Sequence, residues 1–154
     1  MDILLLNNEH IIIFLKLIVA ALLGGIIGYD REKTGHPAGL RTHIIVCVSS
    51  TFLMTALLAS FEGDSIARIA AAILTGIGFL GAGTILVHGK EIHGLTTAAT
   101  VWGMSGIGII VGLGVYFEAV VATLLFLIVI NLRSFEPNKI EYDKKHNKNK
   151  KGVK

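Results

Sequence analysis

Long apolar stretches separated by short polar clusters make up most of the chain. A helix that spans a bilayer needs about 20 mostly apolar residues. The pattern predicts five such helices, at about residues 11–29, 42–61, 66–87, 95–113 and 115–132. The expected fold is therefore an all-α membrane protein with about five transmembrane helices. The alternative, a soluble protein with buried apolar helices, needs more polar sequence than this chain contains.

The distribution of basic residues orients these helices. Cytoplasmic loops of membrane proteins are enriched in Lys and Arg. With five spans, the loops after the first and third helices and the segment after the fifth all lie on one side. They hold every Lys and Arg except Lys16 and Arg68. The pattern predicts an outside amino terminus and a cytoplasmic carboxyl terminus. Four spans would separate the first loop from the carboxyl-terminal segment, so the charges independently favour five.

Composition divides the chain into two parts. Only 16% of the residues are charged and 53% are hydrophobic, whereas soluble domains have about 25% charged residues. Residues 133–154 hold eight Lys and Arg against three Asp and Glu, a net charge of +5, and the other residues sum to −2. We therefore predict a transmembrane domain at 1–132 and a basic, disordered cytoplasmic tail at 133–154. A basic segment directly after a span is typical of contact with anionic lipid, not with nucleic acid.

A faint internal repeat relates the first four predicted helices. The sequence GLRT at 39–42 opens the second helix, and GLTT at 94–97 opens the fourth, 55 positions later. The same shift places the first helix on the third. This predicts two parallel helical-hairpin repeats plus one helix. The alternative is that both helices begin with the same local chemistry by coincidence.

Pairs of small residues spaced four apart predict where helices pack. Lipid gives helices no hydrophobic reason to associate, so they pack where small side chains let backbones approach. Glycine is dense in the third helix, where the alternative is a locally opened helix that offers carbonyl groups to an ion or substrate. The predicted packing positions are Gly24, Gly28, Gly78, Ala82, Gly108 and Gly112.

Polar residues form a cytoplasmic layer where the first helix ends and the second and fourth begin. One interpretation is an ion-paired lid over the helix ends. The other is a functional site for an anion or a hydrated cation, since helix N-termini carry unpaired N–H groups and partial positive charge. The candidate residues are Asp30, Arg31, Glu32, Arg41, Thr42, His43, Thr96 and Thr97.

The outer layer holds Lys16, Asp64, Arg68 and Glu118. Lys16 lies within apolar sequence, where we expect it to extend towards the membrane surface or to pair with a carboxylate. Asp64 and Arg68 are four positions apart and are predicted to pair on one helix face.

Sequence motifs of catalysis are absent. The chain has no P-loop, HExxH motif, nucleophile elbow or Cys/His cluster, so neither enzymatic activity nor a cofactor is expected. No Asp or Glu lies near the centre of a predicted helix, where proton-coupled carriers commonly place one. Mg²⁺ often uses only one or two carboxylates, so Asp30 and Glu32 are chemically suited to it. The sequence does not require a metal site.

Several motifs, in order, resemble the MgtC/SapB family of bacterial membrane proteins. The resemblance covers most of residues 11–132. Asp30 stands where the family more often has Glu, and a short lysine-rich tail stands where longer members have a folded soluble domain. The motifs are Arg31-Glu32, AGLRTH at 38–43, RIAA at 68–71, TGIGFLGAG at 75–83, and GLTTAA at 94–99 followed by Trp102.

The resemblance implies a bacterial inner-membrane protein of magnesium homeostasis, linked to growth at low Mg²⁺ and, in pathogens, to virulence. The family is often labelled a magnesium transporter, but some members look like regulators of membrane ATPases, including the F-type ATP synthase. Two functions are therefore expected: magnesium transport or homeostasis, and regulation of a bound membrane complex. The implied partners are the lipid bilayer and either further copies of the chain or a membrane ATPase, with Mg²⁺ as a ligand or substrate.

Overall fold

A computed structural model describes residues 8–59, 65–88 and 91–132. Within these ranges the chain forms five α-helices and one β-hairpin. This confirms the prediction of an all-α membrane protein built on five helices, although the prediction for residues 133–154 lies outside the described residues. The elements are α1 (Asn8–Lys33), α2 (Leu40–Leu58), α3 (Ser65–Ala82), β1 (Leu86–His88), β2 (Glu91–His93), α4 (Leu95–Leu113) and α5 (Tyr116–Asn131).

The five helices differ in how readily each could cross a bilayer. Among the described residues, α1, α2 and α4 contain stretches long and apolar enough to cross a membrane by length and composition. Helices α3 and α5 are also apolar but have only 18 and 16 residues. Spanning helices use roughly 17 to 25 residues, so α3 lies near the lower end of this range and α5 lies just below it.

The third predicted helix ends earlier than the sequence indicated. We expected it to reach residue 87, but α3 stops at Ala82, and β1 then pairs antiparallel with β2. The Thr84 hydroxyl donates to the Gly81 carbonyl oxygen at 2.8 Å, and the backbone N–H groups of Thr84 and Ile85 close a turn on Gly81 and Ala82. Glycine weakens the helix here, and the β-branched residues that follow favour a strand.

Helices α2 and α4 form the centre of the bundle. Cys47 of α2 and Met104 and Val111 of α4 have no exposed surface. The Thr51 hydroxyl also crosses between these helices, donating to the Gly108 carbonyl oxygen at 2.8 Å. Hydrogen bonds and close packing replace the hydrophobic effect as the cause of helix association in lipid.

Two predicted packing positions, Gly24 and Gly28, lie where α1 meets α2. A Cβ atom placed on Gly24 would lie 2.8 Å from the His43 carbonyl oxygen, and one on Gly28 would lie 2.7 Å from the Leu40 Cα atom. The two helices therefore touch backbone to backbone, and any side chain at either glycine would force them apart.

Gly108 and Gly112 likewise allow close approach of two helices, in this case α4 and α2. A Cβ atom on Gly108 would overlap the Cys47 carbonyl oxygen, and one on Gly112 would lie 2.7 Å from the Met54 Cβ atom. Both glycines are buried. Helix α2 therefore packs against glycines of α1 on one side and against glycines of α4 on the other.

The structure does not bring Gly78 and Ala82 against another helix, contrary to our expectation. A Cβ atom on Gly78 would have no other atom within 4 Å, and the Ala82 side chain is exposed. Helix α3 meets α4 instead at Gly81, where a Cβ atom would lie 3.2 Å from the Ala98 carbonyl oxygen. The glycines of α3 fall on more than one face, so their spacing could not identify the packed one.

The helix starts keep the spacing of the internal repeat. Helices α2 and α4 begin at Leu40 and Leu95 and both contain 19 residues. The residues before them differ, because Gly39 has φ −110° and Gly94 has φ 86°, and only α4 is preceded by a hairpin. Duplication of the two helical hairpins stays a prediction.

Candidate functional site

The predicted cytoplasmic layer separates into a buried network and an exposed rim. Arg31 is only 3% exposed, His43 has no exposed surface, and Thr97 is 1% exposed. These three residues come from α1, α2 and α4. The rim consists of half-buried Asp30 and of the exposed side chains of Glu32, Arg41, Thr42 and Thr96.

His43 joins the start of α2 to the start of α4. Its Nδ1 atom lies 2.8 Å from the Gly39 carbonyl oxygen. Nδ1 is therefore the donor, because a carbonyl oxygen only accepts. Its Nε2 atom lies 3.1 Å from the Thr100 hydroxyl, which is 2.9 Å from the Thr97 carbonyl oxygen. Because Nδ1 carries the proton of a neutral imidazole, Nε2 can only accept. His43 is therefore held at both ring nitrogens when the Thr100 hydroxyl donates to Nε2, and at Nδ1 alone when that proton goes to the Thr97 carbonyl oxygen.

Arg31 brings a permanent positive charge into this network. Its Nη2 atom donates to the Thr97 hydroxyl oxygen at 3.4 Å, which joins α1 to the first turn of α4. A guanidinium group stays protonated in proteins. Arg31 lies in the last turn of α1, where the partial negative charge of the helix end stabilises a cation. Arg31 therefore contributes a permanent positive charge to the buried network.

The two carboxylates of the cytoplasmic layer accept hydrogen bonds from different partners. Glu32 Oε2 accepts the N–H group of Leu40 at 2.8 Å, which satisfies a backbone donor in the first turn of α2. Asp30 Oδ1 accepts from the Asn131 side chain at 3.4 Å, at the end of α5. Residues two apart on a helix do not face each other, so Asp30 and Glu32 do not form a shared cation site. In the part of the chain that the structure describes, no group of three or more His, Cys, Asp or Glu could hold a metal.

In the outer layer, Lys16 has a backbone partner. Its Nζ atom donates to the Gly112 carbonyl oxygen at 2.6 Å, and the Thr55 hydroxyl reaches the same oxygen at 3.4 Å. Gly112 lies in the last turn of α4, where carbonyl groups carry partial negative charge. Lys16 thus crosses from α1 to the end of α4. The sequence predicts that Lys16 extends towards the membrane surface or pairs with a carboxylate. It does not show that these segments of α1 and α4 are neighbours, so it could not identify the Gly112 carbonyl oxygen as the partner.

The other described residues of the outer layer lie at the surface. The side chains of Arg68 and Glu118 are exposed. Asp64 lies outside the described residues, so its pairing with Arg68 stays a prediction.

Thr100 is the site residue that sequence analysis missed. It lies one turn beyond Thr97 on the same face of α4, and it is only 5% exposed. The signal was available, because a third threonine at helical spacing continues the polar face that Thr96 and Thr97 begin.

Comparison of the chain with known families identifies its relatives. Residues 17–136 match the MgtC family. The chain belongs to the MgtC family. The matched segment includes Arg31, His43, Thr97 and Thr100, so the whole buried network lies within the part of the chain that MgtC proteins share. The resemblance inferred from the sequence motifs is confirmed.

The relatives within the MgtC family are longer proteins. Protein MgtC of Salmonella typhimurium strain LT2 is 43% identical over 124 residues, covering 78% of this chain and 53% of its own length. A Haemophilus influenzae protein is 42% identical over 139 residues, covering 83% and 58%. YhiD of Escherichia coli K12, named as a candidate magnesium transporter, is 38% identical over 126 residues, covering 77% and 59%. The chain thus spans between 53% and 59% of the length of these relatives. No solved structure matches it.

Proposed function

We propose that the chain is a magnesium-homeostasis protein of the bacterial inner membrane, and that it acts by binding a membrane partner. Its membership of the MgtC family supports the link to magnesium, as does the printed name of the Escherichia coli relative. In this proposal the amino terminus faces outside and the carboxyl terminus faces the cytoplasm, as the basic loops predict. The proposal includes no catalytic step and no resident cofactor.

The observation that carries the proposal is the charge of the buried interior. Among the described residues, the buried polar side chains are one Arg, one His, and several Ser and Thr, with no Asp or Glu. Mg²⁺ is held by oxygen ligands, usually including carboxylates. A Mg²⁺ ion that moved between α1, α2 and α4 would instead meet the guanidinium of Arg31. Like charges in a low-dielectric interior repel strongly, so this interior suits a fixed structural network better than a cation path.

The exposed rim supplies the surface for a partner. Arg41 and Thr42 lie in the first turn of α2, and Thr96 lies in the first turn of α4, so all three meet at one end of the bundle. An exposed Arg beside two helix N-termini suits an acidic or phosphate-bearing group, while the carboxylates of Asp30 and Glu32 in the same rim suit a basic one. We propose a membrane ATPase, such as the F-type ATP synthase, as the class of partner that the family resemblance implies.

Transport of Mg²⁺ is the second candidate function. It is favoured by the printed name of YhiD, which is 38% identical to this chain. The two candidates differ in whether the chain alone moves Mg²⁺ across a membrane.

Flux into liposomes separates the candidates. We expect the purified chain to give no more Mg²⁺ entry than protein-free liposomes, measured with a Mg²⁺-sensitive dye inside, because Arg31 opposes a dication in the bundle. An authentic magnesium channel in the same lipid serves as the positive control. Entry that increases with the amount of chain in the membrane would establish transport and overturn the proposed mode of action.

Alanine variants test whether the rim binds a partner. We expect Arg41→Ala to accumulate normally in the membrane, because its side chain is exposed, yet to lose growth support at low Mg²⁺. Truncating an Arg at a binding hot spot costs about 2 kcal/mol, roughly 30-fold in affinity. Lys33 is another exposed cation beside the rim, and Lys33→Ala is the matched control. It should keep both normal abundance in the membrane and growth support at low Mg²⁺. Arg31→Ala should instead lower membrane abundance. An Arg41→Ala chain of normal abundance that supports full growth would exclude the rim as the binding surface.

A further inference from the structure

The β-hairpin between α3 and α4 exposes apolar side chains. Its register pairs Val87 with Ile92, so these two side chains lie on the same face of the hairpin. They are 66% and 56% exposed. Leu86, which pairs with His93 on the opposite face, is exposed as well. Segments that join helices through water are usually rich in polar and turn residues, so the composition of these strands points to another environment.

A hairpin of this size needs something to cover its apolar face. Strands β1 and β2 have only three residues each. A two-stranded hairpin is marginally stable in water unless a helix or a further strand packs on it. The exposure of Val87 and Ile92 shows that the described part of the chain does not supply this cover. The cover must therefore come from the surroundings of the protein.

The flanking helices place the hairpin at the membrane boundary. The Thr84 hydroxyl donates to the Gly94 carbonyl oxygen at 3.5 Å, which holds the hairpin base at the start of α4. Helix α3 ends beside the first turn of α4, since a Cβ atom on Gly81 would lie 3.2 Å from the Ala98 carbonyl oxygen. With 18 residues, α3 is about 27 Å long, slightly shorter than a hydrocarbon core of about 30 Å. An α3 that spans the membrane therefore ends about where hydrocarbon gives way to headgroups.

Two further features favour lipid over a protein partner. The exposed apolar surface continues from the helices onto the hairpin, with Phe79 and Leu80 at the end of α3 and Leu95 at the start of α4. Backbone groups near hydrocarbon must also be paired within the protein, and the pairing of β1 with β2 achieves this where an open loop would not. Strands of three residues, by contrast, offer a partner strand few main-chain hydrogen bonds.

We propose that strands β1 and β2 lie in the membrane interface, with Val87 and Ile92 inserted between lipid acyl chains just below the headgroups. Amphipathic segments bind the boundary between headgroups and acyl chains in this way. The inserted hairpin fixes the depth at which α4 begins, and with it the height of Thr96 above the hydrocarbon. The proposal does not depend on whether the protein transports Mg²⁺ or regulates a partner, nor on which side of the membrane this end faces.

Labels on introduced cysteines measure the depth of the hairpin. Cys47 has no exposed surface, so a thiol-reactive nitrobenzoxadiazole dye should label Val87→Cys and Ile92→Cys chains only at the introduced thiol, and the native chain is the blank. Each full chain is reconstituted in lipid nanodiscs, one chain per disc, with both membrane faces open to water. We expect lipids with a nitroxide near the headgroup to quench both labels strongly. Lipids with the nitroxide at the end of the acyl chain should quench them less.

Two controls calibrate the quenching. Lys33→Cys labels an exposed charged position at the same end of the bundle, and aqueous iodide should quench this label severalfold more than the hairpin labels. Leu22→Cys labels an exposed position near the middle of α1, where the deep nitroxide should quench best. Iodide quenching of the hairpin labels as strong as at Lys33 would place the hairpin in water and overturn the proposal. Shielding from both iodide and lipid nitroxides would mean that protein covers the face, which would overturn it equally.

A charge on the apolar face tests whether lipid contact holds the hairpin in place. Ile92→Asp, combined with the labelled Val87→Cys change, puts a carboxylate beside the label, and interfacial burial of that charge is unfavourable. We expect iodide quenching of the label to rise severalfold, whereas Ile92→Leu, the matched control, should leave it unchanged. In both chains Cys47 should stay unlabelled, which reports an intact fold. If the label in a folded Ile92→Asp chain stays as well shielded as before, insertion of this face does not position the hairpin.

Discussion

Gly108→Ala is expected to destabilise the folded chain by about 1–3 kcal/mol, the usual cost of overpacking a tight interior, whereas Gly106→Ala is expected to stabilise it. A Cβ atom on Gly108 would overlap the Cys47 carbonyl oxygen and lie 2.8 Å from the Ser50 Cβ atom, while one on Gly106 would have no other atom within 4 Å. Each change also removes a glycine from a helix interior, which favours folding by about 0.5–1 kcal/mol. The difference between the two variants therefore isolates the contact between α4 and α2.

The only cysteine reports the unfolding of both variants. Cys47 has no exposed surface in the folded chain, so a thiol-reactive fluorescent dye should label it only on unfolding. Thermal scans in mild detergent should give a lower Tm for Gly108→Ala than for the native chain and a slightly higher Tm for Gly106→Ala. Equal Tm values for the two variants would mean that α2 and α4 do not approach each other at Gly108.

Gly94→Ala is expected to cost more stability than Gly114→Ala, although both glycines have nearly the same backbone conformation. Their φ angles are 86° and 85°, in the left-handed region that costs other residues about 1–2 kcal/mol. Only at Gly94 does a Cβ atom meet another group, because it would overlap the Thr84 carbonyl oxygen, whereas Gly114 has open space. We therefore expect Gly114→Ala to show the cost of conformation alone.

The stability of the Gly94→Ala and Gly114→Ala variants is measured by the same thiol-labelling scan and by their abundance in the membrane. Gly94→Ala should lower the Tm further than Gly114→Ala does, because the base of the β-hairpin must also move away from the start of α4. Should Gly94→Ala and Gly114→Ala lower the Tm equally, the hairpin base would not be packed against Gly94.

The sequence predicted helices best where apolar runs have glycine at both ends. Helix α4 begins and ends at the predicted residues, Leu95 and Leu113. The left-handed backbone of Gly94 is not helical, so the helix starts after it, and the left-handed Gly114 is the common way for a helix to end. The end of α3 was misplaced because apolar residues continue through the turn into β1. Hydropathy does not distinguish a buried helix from a strand of the same composition.

The composition of the polar cluster was predictable, but its contacts were not. Arg31, His43 and Thr97 were recognised as polar residues at helix ends. The hydrogen bond from Arg31 to Thr97 joins residues 66 positions apart, and the one from Lys16 to Gly112 joins residues 96 apart. Such pairs depend on which helix faces pack together, and each apolar helix has several faces that suit lipid or protein equally.

Helices α2 and α4 are parallel, and three side-chain hydrogen bonds between them join residues 57 positions apart. The pairs with this spacing are His43 with Thr100, Thr51 with Gly108, and Thr55 with Gly112. A constant separation means that the two helices are aligned in one register along their whole contact.

The pair of Thr51 with Gly108 alone would permit a second register. If α2 slid by one turn, Thr51 would face Gly112, which is equally small and offers another carbonyl oxygen, whereas Thr55 would face position 116, beyond the end of α4. His43 would then leave Thr100 and face Met104, whose thioether is only a weak acceptor. A buried polar pair can fix register in this way, as polar residues do in coiled coils. His43 thus makes the one-turn slide unfavourable, so the polar end of the bundle determines how the apolar length of α2 is aligned with α4.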